Sequence, residues 1–248
     1  GINVSALKVL VENVDPILLT SFRILLAGVS VLMICRMMNI FRLPSKKEIL
    51  MIIYISLFNT ILHHSFVALG LQNTTGVNTG LIQGTNPLVT MMLSVLLLKH
   101  QLTIVKVLGF ILGFIGVFIT TYSGLDSLTE YSIGDLYIFL GVLVQAYSFI
   151  LISKNKLDFD PRLLTGYMLV FGSIFIFISS ILVGENVSGI TNLFNWKLGS
   201  IFVFSAIVCT AFWHMVYNYS VKNVGPAENT IFVNLNTFFT LAAAAVFL

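Results

Sequence analysis

Charge is what this sequence has least of, since only 9% of its 248 residues are Asp, Glu, Lys or Arg. Soluble domains carry roughly 25% charged residues, so a globular surface exposed to water is excluded. Because 57% of the residues are hydrophobic, the composition predicts an integral membrane protein. The net charge of +3 comes without a basic tract interleaved with aromatics, so we expect no nucleic-acid partner.

Two further absences narrow the function. The sequence has only two cysteines, Cys35 and Cys209, which lie in or beside apolar stretches and give no disulfide framework. No Asp or Glu lies in the middle of an apolar run, since Glu48, Asp135 and Glu228 are all near the ends of runs. Proton relays across membranes commonly use buried carboxylates. Histidine is therefore the remaining candidate for proton coupling, and without it the protein would work as a facilitator or exchanger.

Long apolar runs fill most of the chain. Eight of them reach the roughly 20 residues that a bilayer-spanning helix needs, and a shorter apolar segment at 1–12 precedes them. The runs do not alternate with period two, and backbone amides in hydrocarbon must be satisfied internally, so we expect helices. Since the chain begins and ends inside apolar runs, we expect a piece of a longer protein. The predicted spans are 16–36, 48–70, 78–98, 103–122, 134–153, 162–183, 198–220 and 227–248.

Basic residues concentrate in alternate loops, as they do on the cytoplasmic side of membrane proteins. Ten of the thirteen Lys and Arg residues belong to one set of loops. This distribution predicts that the loop at 37–47 is cytoplasmic and that the loop at 13–15 lies outside. The ten residues are Arg36, Arg42, Lys46, Lys47, Lys99, Lys106, Lys154, Lys156, Arg162 and Lys222, whereas Lys8, Arg23 and Lys197 belong to the other side.

The sequence contains an internal repeat. The segment Asp15–Thr20 (DPILLT) recurs as Asp160–Thr165 (DPRLLT), and Gly76–Thr79 aligns with Gly225–Glu228. Five predicted spans separate the first pair, so the two copies start on opposite sides of the membrane. Inverted repeats are the construction principle of many secondary transporters, whose substrate site lies near the midplane between the halves. A duplicated helical scaffold without transport remains the alternative.

Several motifs in this order resemble the EamA family of the drug/metabolite transporter superfamily. The resemblance covers the whole chain and implies an all-α polytopic membrane protein with ten helices in two inverted five-helix repeats. On that pattern the repeats occupy 1–124 and 125–248, with helix 1 truncated, helix 10 missing and about nine helices present. Lys99-His100 departs from the family, in which many members have a Gly-Glu pair here. The motifs are Lys8, Pro16, Arg23, Gly134-Asp135, Thr79-Gly80-Leu81 through Pro87, and Gly109, Gly113 and Gly116.

The resemblance also implies a function. Family members transport varied solutes, so we expect a transporter or exporter of small metabolites or drug-like solutes that works by alternating access through a central cavity. It implies a multi-pass protein of the inner (plasma) membrane with both termini cytoplasmic. The partners would be a small solute, the lipid bilayer and, if transport is coupled, a proton or other ion. An intramembrane enzyme would need a nucleophile–base pair or a metal constellation, and neither appears in the sequence.

Polar residues inside the predicted spans are the candidate substrate contacts, because such residues usually face a cavity or another helix. In the span at 78–98, polar residues follow one helical face, and Pro87 frees a backbone carbonyl near Gln83. Packing of helices through small polar residues is the alternative. The four predicted spans at 48–70, 134–153, 198–220 and 227–248 supply further candidates. The predicted substrate-binding residues are Asn59, His63, His64, Thr79, Gln83, Asn86, Gln145, Trp213, His214 and Asn234.

Each candidate type has a second reading. An intramembrane histidine either contacts solute or makes an interhelical hydrogen bond, and Trp213 either stacks a planar or cationic solute or packs. The histidines lack paired spacing and a supporting carboxylate, so we expect no metal or cofactor. Arg23 lies about two turns inside its span, and we expect it to snorkel outward rather than to attract an anion. The glycines from Gly109 to Gly116 predict close helix packing.

Overall fold

The computed structural model describes residues 2–99, 132–155 and 158–230, together with Ile104, Leu108, Ile111 and Ile115. In these residues the regular structure is entirely helical, and six helical segments are long and apolar enough to cross a membrane, one of which, Asn78–Leu98, contains a turn at Gly84 and Thr85. The all-α membrane fold predicted from the sequence is thus confirmed. The predicted span at 103–122, the glycines from Gly109 to Gly116 and most of the span at 227–248, with Asn234, lie outside the described residues. The helices are α1 (Ile2–Val11), α2 (Pro16–Met37), α3 (Lys46–Asn73), α4 (Gly76–Gln83), α5 (Asn86–Leu98), α6 (Ile133–Lys154), α7 (Pro161–Val183), α8 (Trp196–Asn223) and α9 (Pro226–Thr230).

The helices begin and end at residues suited to those positions. Pro16 and Pro161 start α2 and α7, where the missing N–H costs nothing because first-turn amides have no intrahelical partner. Ser132 and Asp135 form a capping box at the start of α6, with each side chain accepting from the other's backbone N–H. Gly184 ends α7 at φ 81°, a left-handed conformation that favours glycine. Local sequence therefore determines where these helices begin and end.

The predicted span at 78–98 is broken in the middle. α4 ends at Gln83 and α5 begins at Asn86, with Gly84 and Thr85 in a turn between them. Pro87 causes the break, because its ring clashes with the carbonyl four residues earlier and it has no N–H to continue the ladder. The predicted polar face is consequently divided between two short helices.

Two helices contain a π-helical turn that the sequence did not predict. In α3 the turn covers Leu57–Leu62, directly before His63, and in α8 it covers Ser205–Phe212, directly before Trp213. The two turns lie at corresponding places in the two repeats. π-Helical turns occur frequently at functional sites, and here each one is followed by residues that the sequence analysis selected.

The two helices that begin with the repeated motif, α2 and α7, pack side by side in opposite directions. Early residues of one contact late residues of the other, as in the ring pair of Phe22 and Phe177 at 5.8 Å. The contact is close at the centre, because a Cβ on Gly28 would lie 2.8 Å from the backbone nitrogen of Val170. An antiparallel pair of equivalent helices is what a two-fold axis in the membrane plane produces. The packing therefore agrees with an inverted repeat.

One end of the bundle joins the start of α2 to the end of α7, and we call it the acidic end (residues 12–15 and 184–195). Glu185 accepts hydrogen bonds from the backbone nitrogens of Ile17 at 3.0 Å and Leu18 at 2.6 Å, and so caps α2 from another helix. Asp15 in turn accepts from the backbone nitrogen of Asn186 at 2.7 Å. Burial raises the pKa of Glu185 above its ordinary value, although the two backbone hydrogen bonds act in the opposite direction.

The other end, which we call the basic end (residues 38–45 and 155–160), is closed by a second set of contacts. The Arg42 guanidinium donates to the carbonyl of Asp158 at 2.8 Å, and the Tyr167 hydroxyl donates to the carbonyl of Arg42 at 2.9 Å. Lys222 donates to the carbonyl of Asn155. The loops therefore group at two ends as the distribution of charge predicts.

Candidate functional site

A chain of side-chain hydrogen bonds crosses from α5 through α6 to α3. Asn86 donates to Gln145 Oε1 at 2.7 Å, Gln145 Nε2 lies 3.0 Å from His63 Nε2, and His63 Nδ1 lies 3.0 Å from the carbonyl of Gly141. A carbonyl only accepts, so His63 carries its proton on Nδ1 and accepts from the Gln145 amide through Nε2. Thr90 completes the chain by donating to Asn86 Oδ1 at 2.9 Å.

A second connection joins the same helices one turn further along. Asn59 on α3 donates to the Ser148 hydroxyl at 2.8 Å, and this hydroxyl donates to the carbonyl of Gln145 at 2.6 Å. Four of the predicted site residues thus connect α3, α5 and α6 by hydrogen bonds. In this conformation they have the packing role that the sequence analysis left open as the alternative. These residues are Asn59, His63, Asn86 and Gln145.

Arg23 lies inside the bundle, so the prediction that it snorkels outward is wrong. Its side chain is only 3% exposed, and Nη1 donates to the Thr210 hydroxyl of α8 at 2.6 Å. Thr210 sits in the π-helical turn and donates its own proton to the carbonyl of Ser205 at 2.8 Å, which leaves its oxygen free to accept. The guanidinium turns inward because α8 offers this acceptor where lipid would offer none.

Two histidines from equivalent helices meet one turn from the residue that Arg23 contacts. The ring of His64 lies 4.8 Å from the ring of His63 and 5.4 Å from that of His214, and His214 follows Thr210, the acceptor of Arg23, by four residues along α8. His64 Nε2 is buried without a partner, and His214 makes no hydrogen bond with any described residue. We call Arg23, Thr210, His64 and His214 the Arg23 cluster.

The remaining predicted site residues lie apart from both groups. Thr79 is buried and donates to the carbonyl of Thr75 within its own helix at 2.9 Å. Gln83 makes no hydrogen bond among the described residues. Trp213 is 47% exposed and stacks on Tyr217 with ring centroids 5.4 Å apart. The structure thus brings His64 and His214 to one place without the aromatic ring that was predicted to join them.

Arg23 and Thr210 are the site residues that the sequence analysis did not select. A usable signal was present, because an arginine inside a span without a nearby acidic residue usually faces the bundle interior. What the sequence could not supply was the acceptor, since Thr210 reaches Arg23 from 187 positions away. The rotation of α2 about its own axis decides between lipid and interior, and that rotation is set by tertiary packing.

The Arg23 cluster is closed to both ends of the bundle. Its four side chains are each at most 8% exposed. An open depression of about 330 Å³ lies elsewhere, at the end of α2, where Arg36, Asn39 and Phe41 line it. Within the described part of the chain, no group of three His, Cys, Asp or Glu side chains is arranged to hold a metal ion.

Comparison with known proteins agrees with this architecture. The "Uncharacterized transporter YyaM" of Bacillus subtilis (strain 168) is 31% identical over 175 residues, which are 69% of this chain and 57% of that protein. The chain therefore spans little more than half of that relative. An "Uncharacterized transporter" of Archaeoglobus fulgidus is 26% identical over 238 residues, covering 94% of this chain and 80% of that protein.

A solved structure and a family model complete the comparison. One crystal structure of a protein superposes with a TM-score of 0.67 over 97% of this chain and 86% of that chain, and at 14% identity it supports the fold alone. The model of the EamA-like transporter family matches residues 1–122 and again residues 132–248. The family predicted from the sequence motifs is confirmed, and the chain belongs to the EamA-like transporter family.

Proposed function

We propose that this protein carries a small solute across the inner membrane by alternating access, with the solute held at the Arg23 cluster between residues 1–124 and 125–248. The observation that supports this proposal is the pair of unpartnered buried groups, Arg23 Nε and His64 Nε2. Unpaired polar atoms in the middle of a membrane protein are costly and mark substrate or ion pathways. A scaffold without transport would gain nothing from them.

The contacts at the two ends supply the gates. The acidic end is held by Glu185 on α2 and by Asp15 on the backbone of Asn186, and the basic end is held by Arg42 and Tyr167. Opening one set while the other stays closed would expose the Arg23 cluster to one side at a time. The antiparallel pair of α2 and α7 gives the two halves a common packing surface about which they would rock. On the charge pattern the basic end is cytoplasmic, and the family pattern of ten helices would place both termini of the full-length protein on the same side.

If transport is coupled to protons, histidine side chains would bind and release them. No carboxylate of the described residues forms an ion pair with Arg23, so His64 and His214 are the side chains of the cluster that could take up a proton during transport. His63 is less suited to this task, because both of its ring nitrogens are already hydrogen-bonded. Without proton coupling by these rings, the protein acts as a facilitator or exchanger.

Uptake into proteoliposomes tests the proposal directly. Purified protein would be reconstituted and challenged with a panel of radiolabelled small metabolites, in parallel with His64→Ala, His214→Ala and Asn223→Ala. Asn223 is an exposed residue at the end of α8 whose side chain bonds its own helix, so it serves as the matched control. We expect the two histidine variants to lose at least about tenfold in rate, which corresponds to about 1.4 kcal/mol in the barrier.

The outcome that contradicts the proposal is equally definite. If no labelled solute enters above the level of empty vesicles, with folded protein verified by size-exclusion elution, transport of these solutes is refuted. If uptake is robust and equal in all three variants, the Arg23 cluster is not its binding site.

A further inference from the structure

We propose that Arg23 is an anion-binding residue, and that the transported solute carries a carboxylate which the guanidinium receives in the middle of the membrane. The inference builds on the proposed function, because it names the chemical class of the solute held at the Arg23 cluster. Four observations support it, and they concern the burial of the charge, its missing counter-ion, the geometry of its free edge and the equivalent position in the second repeat.

The charge of Arg23 is buried with only part of its hydrogen-bonding capacity used. The side chain is 3% exposed, Nη1 is bonded to Thr210, and Nε is buried without a partner. A guanidinium has five N–H donors, and no further hydrogen bond from this one is made within the described residues. An ion that loses water without replacement bonds destabilises the fold strongly, so a site of this kind is completed by a ligand from outside.

No carboxylate in the described part of the chain pairs with this charge. Within the described residues, the side-chain ion pairs are Arg42 with Glu48 and Arg162 with Asp160, and both lie towards the basic end. The histidine rings of the cluster, His64 and His214, are donors or neutral acceptors and cannot supply a negative charge. The counter-ion is therefore expected to arrive with the solute.

The free edge of the guanidinium matches a carboxylate. Nη1 donates to Thr210 and Nε is buried without a partner, so the open edge is the Nε edge, on which the Nε–H and one Nη2–H of a guanidinium point in the same direction. Arginine binds carboxylate in this two-bond arrangement, which adds specificity as well as binding free energy. His64 Nε2, which also lacks a partner, is the neighbouring polar atom available to a second acceptor group on the solute.

The second repeat shows that the fold does not need a charge at this position. The repeated motif aligns Arg23 of α2 with Met168 of α7, each of them eight residues after the motif's Asp. Met168 is fully buried, and its carbonyl accepts from the Ser56 hydroxyl of α3 at 2.8 Å. The same place in the same helix of the inverted copy is therefore filled by an uncharged side chain. Arg23→Met should consequently fold.

Thermal stability in the presence of anions tests the inference without requiring transport. Purified full-length protein would be heated with sodium benzoate, sodium lactate, sodium glutamate or sodium phosphate, and with benzamide, lactamide and sodium chloride at matched ionic strength as controls. A ligand that binds only the folded state raises Tm in proportion to its concentration relative to Kd. We expect at least one carboxylate, but not its amide, to raise the Tm of the parent.

The variants then assign the effect to one residue. Arg23→Met should have an unliganded Tm equal to or above the parent's and lose the carboxylate-dependent shift. Arg23→Lys, which keeps the charge but lacks the two-donor edge, should bind at least about tenfold more weakly. Arg36→Met, the same change at the exposed end of the same helix, should keep the whole shift. If Arg23→Met fails to fold, Arg23→Lys carries the test.

Each contrary result has a definite meaning. If no carboxylate stabilises the parent beyond its amide, or if Arg23→Met keeps the shift, Arg23 is not the anion site. If phosphate alone gives an Arg23-dependent shift, the assignment to carboxylates is wrong. Arg23-independent uptake of a neutral solute would refute this inference and leave the transporter proposal intact. If the protein binds the anion through Arg23 but does not transport it, the transporter proposal is refuted and the assignment of Arg23 as an anion-binding residue stands.

Discussion

The hydrogen-bond chain through Gln145 allows a quantitative prediction about which polar residues hold the bundle together. Gln145→Leu would remove two interhelical bonds, one from Asn86 at 2.7 Å and one to His63 at 3.0 Å. Side-chain hydrogen bonds between membrane helices average about 0.6 kcal/mol and reach about 1.7 kcal/mol. The free energy of unfolding should therefore fall by about 1–3 kcal/mol.

A double-mutant cycle separates the Asn86–Gln145 bond from the other effects of each substitution. Asn86→Leu, Gln145→Leu and the double variant would be unfolded with increasing SDS and followed by circular dichroism. We expect the double variant to lose about 0.6–1.7 kcal/mol less than the sum of the single losses. Gln83→Leu provides the matched control, because this amide makes no hydrogen bond with a described residue and should add to Gln145→Leu within about 0.5 kcal/mol.

The result that refutes this reasoning is a coupling of less than about 0.3 kcal/mol between Asn86 and Gln145, which is the range expected for independent sites. The two amides would then be free in the membrane-embedded protein and available to solute, as the sequence analysis first predicted. A coupling between Gln83 and Gln145 as large as that between Asn86 and Gln145 would also contradict the assigned bond.

Three further predictions test the packing and the gates. Gly28→Ala should lower the free energy of unfolding in SDS by about 1–3 kcal/mol, because its Cβ would lie 2.8 Å from α7. Gly80→Ala is the control and should leave this free energy unchanged, since nothing lies within 4 Å of its Cβ. Equal losses in the two variants would contradict the close contact. Glu185→Ala should cost about 0.5–2 kcal/mol by uncapping α2, and an unchanged unfolding curve would show that the cap contributes nothing. Asp15 and Asn186 would be replaced by cysteine in a protein without native cysteines. We expect cross-linking of the two cysteines to stop uptake and reduction to restore it, with the singly substituted proteins as controls. Full uptake by the cross-linked protein would exclude this gate.

The spans were predictable because the bilayer dictates their length. The run at 162–183 appears as Pro161–Val183, and the run at 134–153 appears as Ile133–Lys154. Proline, capping residues and glycine marked the ends with ordinary local chemistry. The π-helical turns were not predictable in this way, because no residue type specifies an additional residue in a helical turn. They depend on the side-chain and backbone bonds of the assembled bundle, such as the one from Thr210 to Ser205.

The candidate site was predictable in composition but not in arrangement. Polarity inside a span selected Asn59, His63, Asn86 and Gln145, yet it could not tell that these four would satisfy one another across three helices. Partner choice depends on how each helix is rotated, and a single sequence has no information about that rotation beyond its apolar pattern. For the same reason the sequence pattern predicts Arg23 at the interface with lipid headgroups, although α8 provides its acceptor inside the bundle.

The two repeats share their backbone plan and differ where the chemistry is concentrated. Both copies begin with Asp-Pro, and both contain a π-helical turn in the second span after that motif. The motif aligns Arg23 with Met168, whereas His64 and His214 each lie two residues after the π-helical turn of their own repeat. An inverted pair of equal halves supplies two equivalent packing arrangements, one open to each side, but it does not by itself select a solute. Selection requires a side chain without a counterpart in the other half, and we propose that Arg23, whose counterpart is the uncharged Met168, is that side chain.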